Sequence, residues 1–350
     1  MTDDAGLRLD FRSDAITLPT VEMWEAMRSA DLGWSHVGED EQVRELEAEV
    51  AALAGKPAAL LVQTGSLANL LAVMSQSDRG EQLILDASSH LAWSEEWGVA
   101  YVCGLFPRLL PSIGGQMQLG EVRQAVETTM LGHHPRTSLL CLESSHNFAG
   151  GAALGLEYLR PMSSLARHLG VRTHLDGARI FNSCAALDED PGEVMRLFDS
   201  VVINLNKGLS APGGAVLAGD ERFVERCRLN MRRIGGSPGH QAGILAAAGL
   251  VALRTMRPQL DQDNRRAGEL AARFDGLEAA SVDLAGVQTN IVRVRVVQAP
   301  RVASELERRG VRALVLADDE LRFVTHRHIT DESLDRAQQI LEEVLTCSTP

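Results

Sequence analysis

Short apolar runs alternate with helical patterns along roughly the first 255 residues of the chain. The runs predict strands at 58–62, 82–86, 138–143, 171–175, 201–205 and 214–218. Helical periodicity between the runs predicts helices, as at 67–75 and 158–169. This alternation predicts an α/β fold, with a mostly parallel sheet that is covered by helices on both faces. Such sheets bind ligands beyond the carboxyl ends of their strands.

The pattern changes after about residue 255. Helices are predicted at 259–274, 303–309 and 331–344, and strands near 290–294 and 321–324. This mixture is typical of a small α+β domain, whereas the N-terminal segment has little periodicity and is expected to dock on the rest as an arm. The predicted parts are an arm, a large α/β domain and a small C-terminal α+β domain, at residues 1–20, 21–255 and 256–350.

The composition excludes several classes of protein. The chain has 34 basic and 47 acidic residues and a formal net charge of −13, which disfavours binding to nucleic acids and anionic membranes. Its 350 residues, 45% of them apolar, can bury a large core. No apolar stretch approaches the ~20 residues that cross a bilayer. The N-terminus lacks a signal-peptide pattern, so we expect a cytoplasmic protein.

The cysteines are few and scattered. They are Cys103, Cys141, Cys184, Cys227 and Cys347. Their odd number and the absence of a CxxC pair argue against a disulfide framework and against a structural zinc site. We therefore predict no metal site and a reducing compartment.

Thr64, Gly65 and Ser66 lie between a predicted strand and the helix that follows it. At such a position, free backbone N–H groups and the positive end of the helix dipole can hold a phosphate group. The alternative is a simple helix cap, which is the commoner use of these residue types. The segment lacks the glycine patterns of dinucleotide and nucleoside triphosphate sites.

Two charged residues follow strands of the predicted sheet. Asp176 comes after the strand at 171–175, where a carboxylate can face a protonated ring nitrogen or pair with Arg179. Lys207 comes after the strand at 201–205, where desolvation lowers the pKa of a lysine and favours Schiff-base chemistry. The alternative for Lys207 is a side chain that extends to the surface.

His90 and His146 lie on predicted loops, where each is also consistent with an ordinary surface histidine. The phosphate-binding segment, Asp176 and Lys207 together match the phosphate, the ring nitrogen and the aldehyde carbon of one cofactor. The sequence therefore predicts pyridoxal 5′-phosphate as the cofactor.

Six segments of the chain match a known family pattern. They are Leu9–Asp14, Gly38–Asp40, Gln63–Asn69, Leu142–Glu143 with His146–Asn147, His174–Asn182 and Lys207–Pro212. These segments resemble the low-specificity threonine aldolases, within the β-eliminating lyase group of fold-type I pyridoxal phosphate enzymes. The resemblance covers nearly the whole chain and is most specific in the fifth and sixth segments.

The resemblance implies a lyase that cleaves a threonine-like β-hydroxy-α-amino acid to glycine and an aldehyde, by retro-aldol cleavage of the Cα–Cβ bond. The catalytic residues it implies are Lys207, His90, His146 and Asp176. The cofactor-binding residues it implies are Thr64, Gly65, Ser66, His90, Asp176, Arg179, Asn206 and Lys207. The substrate-binding residues it implies are Ser13, His146, Arg179 and Arg322. It also implies a homodimer or homotetramer whose neighbouring subunit completes the site.

The resemblance assigns each of these residues to one functional group of the cofactor or the substrate. Lys207 forms the Schiff base, Asp176 pairs with the pyridine nitrogen, and His90 stacks on the ring. Gly65 and Ser66 hold the phosphate. His146 is the base for the β-hydroxyl proton, directly or through a water. The substrate carboxylate is held by Ser13, Arg179 and Arg322, because guanidinium groups bind carboxylates in a bidentate fashion.

Several positions depart from the family pattern. Val37 stands where the family usually has Tyr, Ala15 where it has Thr, and Asn206 where it has Ser before the lysine. His240 replaces an arginine that is expected to reach a phosphate across the subunit interface. These changes leave open a β-eliminating lyase, a glycine transaldolase, or a cofactor-binding paralogue without turnover. An NAD-dependent enzyme has little support, because its glycine fingerprint is missing.

Overall fold

A seven-stranded sheet forms the centre of the large domain in the computed structural model, which describes residues 9–128 and 133–346. The described strands are β1 (Ala58–Val62), β2 (Gln82–Asp86), β3 (Phe106–Leu110), β4 (Ser112–Ile113), β5 (Gln116–Met117), β6 (Thr137–Glu143), β7 (Arg172–Gly177), β8 (Ser200–Asn204), β9 (Ala215–Gly219), β10 (Ala280–Ser281), β11 (Ile291–Val296), β12 (Leu314–Ala317) and β13 (Glu320–Val324). The order of strands in the large sheet is β1-β9-β8-β7-β6-β2-β3.

Helices connect and cover these strands. The described helices are α1 (Val21–Arg28), α2 (Glu41–Ala54), α3 (Gly65–Gln76), α4 (His90–Trp93), α5 (Gly98–Tyr101), α6 (Leu119–Glu127), α7 (Leu156–His168), α8 (Ile180–Leu187), α9 (Pro191–Arg196), α10 (Glu221–Arg233), α11 (Gly243–Thr255), α12 (Gln259–Asp275), α13 (Ala299–Arg308) and α14 (Asp331–Thr346). Among the described helices, none combines the length and the apolar character needed to cross a membrane.

The large sheet is parallel except at one strand. Strands β8, β7, β6, β2 and β3 run parallel to one another, whereas β9 runs antiparallel to both β8 and β1. The connection at 205–214 that leads into β9 is shorter than the roughly dozen residues that a parallel crossover requires. The predicted fold class is confirmed, and β9 is the exception that the apolar pattern alone did not reveal.

Local sequence accounts for several boundaries of these elements. The hydroxyl of Thr64 accepts a hydrogen bond of 3.1 Å from the N–H of Leu67, which caps α3. Gly55 ends α2 in the left-handed conformation, with a φ of 61°, which glycine adopts without steric cost. Helix α13 begins four residues before its predicted start, because Pro300 fits the first turn of a helix.

The small domain contains a four-stranded antiparallel sheet and the arm docks on it. The order of its strands is β10-β11-β13-β12, and helices α12 and α14 pack against one another beside the sheet. The N–H of Phe11 donates to Arg312 O at 2.8 Å, and the N–H of Val324 donates to Phe11 O at 2.7 Å. The Phe11 ring is fully buried in the core of the small domain. Residues 1–8 of the predicted arm and Cys347 lie outside the described residues.

A carboxyl group is buried without a close partner in helix α12. The side chain of Asp263 is fully buried, and within the described residues neither of its carboxylate oxygens has a well-formed hydrogen bond. Burial, followed by the nearby charge of Asp14, raises the pKa of Asp263 to about 7. Ionisation of this group therefore opposes folding.

Because the pKa of Asp263 is higher in the folded chain than in the unfolded chain, its contribution to stability is lost as the pH rises from about 4 through 7. We expect Asp263→Asn to be more stable than the wild type above pH 7, by up to about 4 kcal/mol. Urea unfolding at pH 5 to 8 measures the difference. Asp261→Asn, at an exposed position of the same helix, is the control. A difference for Asp263→Asn that does not grow with pH contradicts the prediction.

Candidate active site

Polar side chains gather at the carboxyl edge of the large sheet. Asp86 is the last residue of β2, Glu143 is the last residue of β6, and Asp176 is the second-last residue of β7. Lys207 follows β8, and two residues separate the end of β1 from the start of helix α3. The predicted site residues of these segments are therefore brought to one edge, which is where parallel sheets bind ligands.

Lys207 begins a short 3₁₀ turn, Lys207–Leu209, in the left-handed backbone region with a φ of 58°. Its carbonyl oxygen accepts a hydrogen bond of 2.6 Å from the hydroxyl of Thr17 in the arm. Burial, followed by the charge of Arg179, lowers the pKa of the Lys207 ammonium group. No hydrogen bond holds its Nζ atom within the described residues, so the amine is available for chemistry.

Asp176 is a buried carboxylate without a direct ionic partner. Its Oδ1 accepts a hydrogen bond of 3.0 Å from the N–H of Ala178, and its Oδ2 accepts one of 2.9 Å from Asn69 Nδ2. Burial opposes its ionisation, but the charges of His90 and Lys207 outweigh burial and lower the pKa of the carboxyl group. Among the described residues none forms an ion pair with Asp176, so the site favours a cationic ligand there.

His90 contacts two carboxylates, one through its backbone N–H and one through its ring. Its backbone N–H donates to Glu143 Oε2 at 2.8 Å, and its Nδ1 lies 3.1 Å from Glu95 Oε1. Burial opposes protonation of the ring, but the hydrogen bond to Glu95 and the negative charges of Asp176, Glu143 and Glu95 together outweigh burial and raise the pKa of His90. Burial also raises the pKa of Glu95, which accepts a second hydrogen bond from Asn69 Nδ2 at 2.9 Å.

The sequence predicted no metal site, and one cluster bears on that prediction. His90, Glu95 and Asp176 offer atoms that lie within 4.8 Å of one another, the only such group in the described part of the chain. Asn69 already donates to both carboxylates of this cluster. The hydrogen bonds therefore account for the cluster without an ion.

The N-terminus of α3 offers backbone donors at the same edge of the sheet. Thr64 caps the helix, and Gly65 and Ser66 follow it in the first turn. A Cβ atom at Gly65 would lie 2.5 Å from Asn204 Oδ1, so any other residue at this position would displace the Asn204 side chain. Asn204 Oδ1 has no hydrogen-bond partner in the described residues, while Asn204 Nδ2 donates to Asn206 Oδ1 at 3.2 Å. Asn206 therefore lies beside the predicted phosphate site.

Two buried guanidinium groups differ in their partners. Arg179 donates twice to Asp14, from Nε to Oδ2 and from Nη2 to Oδ1, each at 2.7 Å. Burial opposes ionisation of Asp14, but the charge and hydrogen bonds of Arg179, the charge of Lys207 and the hydrogen bond from Asn290 together outweigh burial. They hold the pKa of Asp14 far below its usual range. This ion pair engages Nε and Nη2 of Arg179, and the predicted grip of Arg179 on a substrate carboxylate stays a prediction.

Arg322 is the guanidinium that lacks a carboxylate. It donates to Asn147 Oδ1 and to the carbonyl of Arg12, both at 3.3 Å, and its Nε has no partner in the described residues. Burial and the charge of Arg179 lower the pKa of Arg322 to about 10. Asn147 Oδ1 also accepts from Arg179 Nη1 at 3.3 Å, so this side chain joins the two guanidiniums.

Ser13 and His146 are engaged by the protein itself. The hydroxyl of Ser13 caps a short turn by accepting from the N–H of Ala15 at 3.1 Å. His146 is buried, its Nδ1 accepts from the N–H of Ala149 at 3.2 Å, and its Nε2 lies 3.3 Å from Asp86 Oδ1. Both ring nitrogens therefore lie close to groups of the protein. The predicted removal of the β-hydroxyl proton by His146, directly or through a water, stays a prediction.

Several residues of the site were missed by the sequence analysis. Asp14, Asn69, Glu143 and Asn147 lie in the segments that carry the family resemblance, but no local pattern assigned them a role. Glu143 accepts hydrogen bonds from the N–H groups of both His90 and Asn147, at 2.8 Å each, and so joins two loops. Its position at the end of a predicted strand was the signal that could have identified it.

Val37 and His240, which depart from the family pattern, lie on the surface. Both are exposed. The N–H of Ser35 donates to His240 O at 2.9 Å, which brings the two segments together. The His240 ring lies against His36, with ring centres 4.7 Å apart. No contact given by the structure joins this surface to Lys207.

Known proteins are similar to this chain in both sequence and fold. The model of the β-eliminating lyase family matches residues 10–297. The chain belongs to the β-eliminating lyase family. It is 36% identical over 344 residues to the probable low-specificity L-threonine aldolase 2 of Arabidopsis thaliana, covering 96% of this chain and 97% of that relative.

Two further proteins extend this similarity. The low specificity L-threonine aldolase of Escherichia coli (strain K12) is 34% identical over 327 residues, covering 93% of this chain and 96% of the relative. The structure of Leishmania major threonine aldolase matches with a TM-score of 0.83 at 15% identity, covering 96% of this chain and 99% of that one. The predicted family and fold of this β-eliminating lyase are therefore confirmed, while the roles of individual residues stay predictions.

The two guanidiniums of this lyase should respond oppositely to removal of their charge. Arg322→Met should raise the free energy of unfolding of the cofactor-free protein, because it removes a buried charge that has no carboxylate. Arg179→Met should lower it by about 3–5 kcal/mol, because Asp14 is left buried and unpaired. Urea unfolding at pH 7 measures both effects.

Arg254→Met is the control for this pair, since Arg254 is exposed and pairs with two glutamates, and it should change stability by less than about 1 kcal/mol. If the Arg322 and Arg179 variants shift stability in the same direction, the division of roles is wrong.

Proposed function

We propose that this chain is a pyridoxal phosphate-dependent aldolase, which cleaves a threonine-like β-hydroxy-α-amino acid to glycine and an aldehyde. The observation that carries the proposal is a set of three groups without partners in the described residues. Within the described residues, Lys207 Nζ has no hydrogen bond, Asp176 forms no ion pair, and Arg322 forms no ion pair with a carboxylate. A pyridine aldehyde with a bound amino acid supplies the missing partner of each group.

The residues present fit the cofactor. Gly65 provides a cradle that a Cβ atom would fill, at the N-terminus of a helix of 12 residues, where a phosphate is favoured. Thr64, Ser66 and Asn206 border this cradle. The carboxylate of Asp176 suits a protonated ring nitrogen, which it stabilises by charge.

Lys207 is the candidate for the covalent bond to the cofactor. The sequence contains only two lysines, Lys56 and Lys207, among its 34 basic residues. Lys56 donates to the carbonyl groups of Phe198 and Arg196 and is therefore engaged by the protein. The lowered pKa of Lys207 increases the neutral, nucleophilic fraction of its amine.

The remaining residues orient the substrate. Pyridoxal phosphate, when bound, supplies an electron sink for cleavage of the Cα–Cβ bond. Arg322 holds the substrate carboxylate by charge-assisted hydrogen bonds, and a fixed carboxylate sets the angle of the Cα–Cβ bond to the cofactor ring. Asn147 keeps Arg322 beside the Asp14–Arg179 ion pair. His90, with Glu95 behind it, faces the side on which Asp176 lies and is the candidate to cover the ring.

The cofactor and the lysine can be tested together. After addition of pyridoxal phosphate, the wild type should show a visible absorption band that shifts when glycine is added. In a separate sample without glycine, borohydride reduction should attach the cofactor to the peptide that contains Lys207, as detected by mass spectrometry. Lys207→Ala should lose the labelled peptide and all turnover of threonine.

Lys56→Arg is the matched control and should keep the band, the labelled peptide and the turnover. Absence of a band in the wild type contradicts the cofactor assignment. A band that does not respond to glycine contradicts the aldolase reaction and favours β-elimination from another amino acid.

We also propose a homodimer or homotetramer that acts in the cytoplasm. The support for an oligomer is a set of exposed apolar side chains on one stretch of the chain: Val21, Trp24, Leu32, Trp34 and Val37. Monomers rarely expose so many large apolar groups near one another. Cys103, Cys141, Cys184 and Cys227 are buried free thiols, which supports a reducing compartment.

The oligomer can be tested by changing this apolar stretch. The wild type should sediment as a dimer or larger at micromolar concentration, and Trp34→Glu should weaken the assembly, because a charge at a buried interface is costly. Sedimentation velocity measures both. Val297→Glu, at an exposed apolar position of the small domain, should leave the assembly unchanged. A monomeric wild type contradicts the proposal.

A further inference from the structure

Four buried polar side chains form a hydrogen-bonded chain behind Asp176. Gln76 Nε2 lies 2.7 Å from Ser200 Oγ, and Ser200 Oγ lies 2.8 Å from His174 Nδ1. His174 Nε2 lies 3.0 Å from Asn69 Oδ1, and Asn69 Nδ2 lies 2.9 Å from Asp176 Oδ2. All five side chains are at least nine-tenths buried.

The carboxylates at one end set the direction of every hydrogen bond in this chain. Asn69 Nδ2 donates its two hydrogens to Asp176 and Glu95, so its Oδ1 must face His174. His174 therefore carries its proton on Nε2, and its Nδ1 accepts from the hydroxyl of Ser200. Burial lowers the pKa of His174 to about 4, in agreement with a neutral ring.

We propose that Asn69 and His174 are positioning residues, which hold the Asp176 carboxylate in place opposite the ring nitrogen of the cofactor. This inference rests on the proposed function of the chain. Four polar side chains are costly to bury, and apolar residues could fill the same space. The complete set of hydrogen bonds offsets that cost and fixes one arrangement of the carboxylate.

Helix α3 connects this chain to the phosphate end of the site. Asn69 and Gln76 are seven residues apart, so they lie on the same face of the helix, two turns from each other. Asn69 also follows Gly65 by about one turn, a rise of about 6 Å. The helix whose N-terminus would hold the phosphate is therefore attached to the strand that carries Asp176.

Asn69 also links Asp176 to the histidine of the site. Its second hydrogen goes to Glu95, whose Oε1 lies 3.1 Å from His90 Nδ1. One amide group therefore orients both the carboxylate and the support of the imidazole. Its loss should disturb both groups at once.

The first experiment measures the affinity for pyridoxal phosphate in Asn69→Leu, His174→Leu and His174→Gln. The two leucine variants should bind the cofactor about tenfold to a hundredfold more weakly, because they leave Asp176 or Asn69 with an unsatisfied group. His174→Gln should recover most of the affinity, because its amide can donate to Asn69 from the position of Nε2. On threonine, kcat should fall in the leucine variants while KM changes little.

Thr137→Val is the matched control. Thr137 accepts a buried hydrogen bond of 2.9 Å from Gln82 in the same sheet, but this pair is not connected to Asp176. The control should lose stability in urea and keep its cofactor affinity. Leucine variants that fold and bind the cofactor as tightly as the wild type overturn the proposal. If they do not fold, Ser200→Ala replaces them and should weaken cofactor binding severalfold, and unchanged binding overturns the proposal.

A second measurement needs no cofactor. Nitrogen-15 NMR of the cofactor-free wild type should show His174 as the neutral Nε2–H form from pH 5 to 9. A proton on Nδ1, or a charged ring in that range, overturns the proposed direction of the chain. If the wild type takes up no pyridoxal phosphate, the proposed function is wrong, whereas the form of His174 still decides whether the chain of hydrogen bonds exists.

Discussion

The buried ion pair between Asp14 and Arg179 is the interaction on which the rest of the site depends. Asp14 belongs to the arm, Arg179 follows β7 of the large domain, and Asn290 of the small domain donates to Asp14 Oδ2 at 3.0 Å. All three parts of the chain therefore meet at one carboxylate. A buried pair of this kind adds little stability by itself, but the loss of either partner leaves a charge without compensation.

This ion pair also decides how charge is distributed at the carboxyl edge of the sheet. Because Asp14 neutralises Arg179, the neighbouring Arg322 is left as a buried cation without a carboxylate. On the other side of the site, Asp176 is left as a buried anion without a direct cation. Lys207 has a lowered pKa between these groups. The protein alone therefore leaves charges uncompensated, which is typical of a site whose ligand completes it.

The sequence predicted those parts of the fold that depend on local patterning. Strand β2 was predicted at its observed bounds, since its three apolar residues, Leu83 to Leu85, lie between the polar residues Gln82 and Asp86. Asp176 and Lys207 were predicted at strand ends, because each of them follows an apolar run. The antiparallel direction of β9 was not predicted, because an apolar run carries no record of strand direction. The role of Asn69 was missed, because its partners His174 and Asp176 are more than 100 residues away in the sequence.

The sequence by itself determined the α/β class, the edge of the sheet that carries the chemistry, and the residue types available for a phosphorylated pyridine aldehyde. These follow from periodicity and from which residues end each strand. Only the tertiary structure decided which of the two buried guanidinium groups pairs with a carboxylate. Arg179 and Arg322 are equivalent in type, but Arg179 is neutralised by a residue 165 positions away in the chain. Such a pairing depends on how the arm docks, and no local pattern records it.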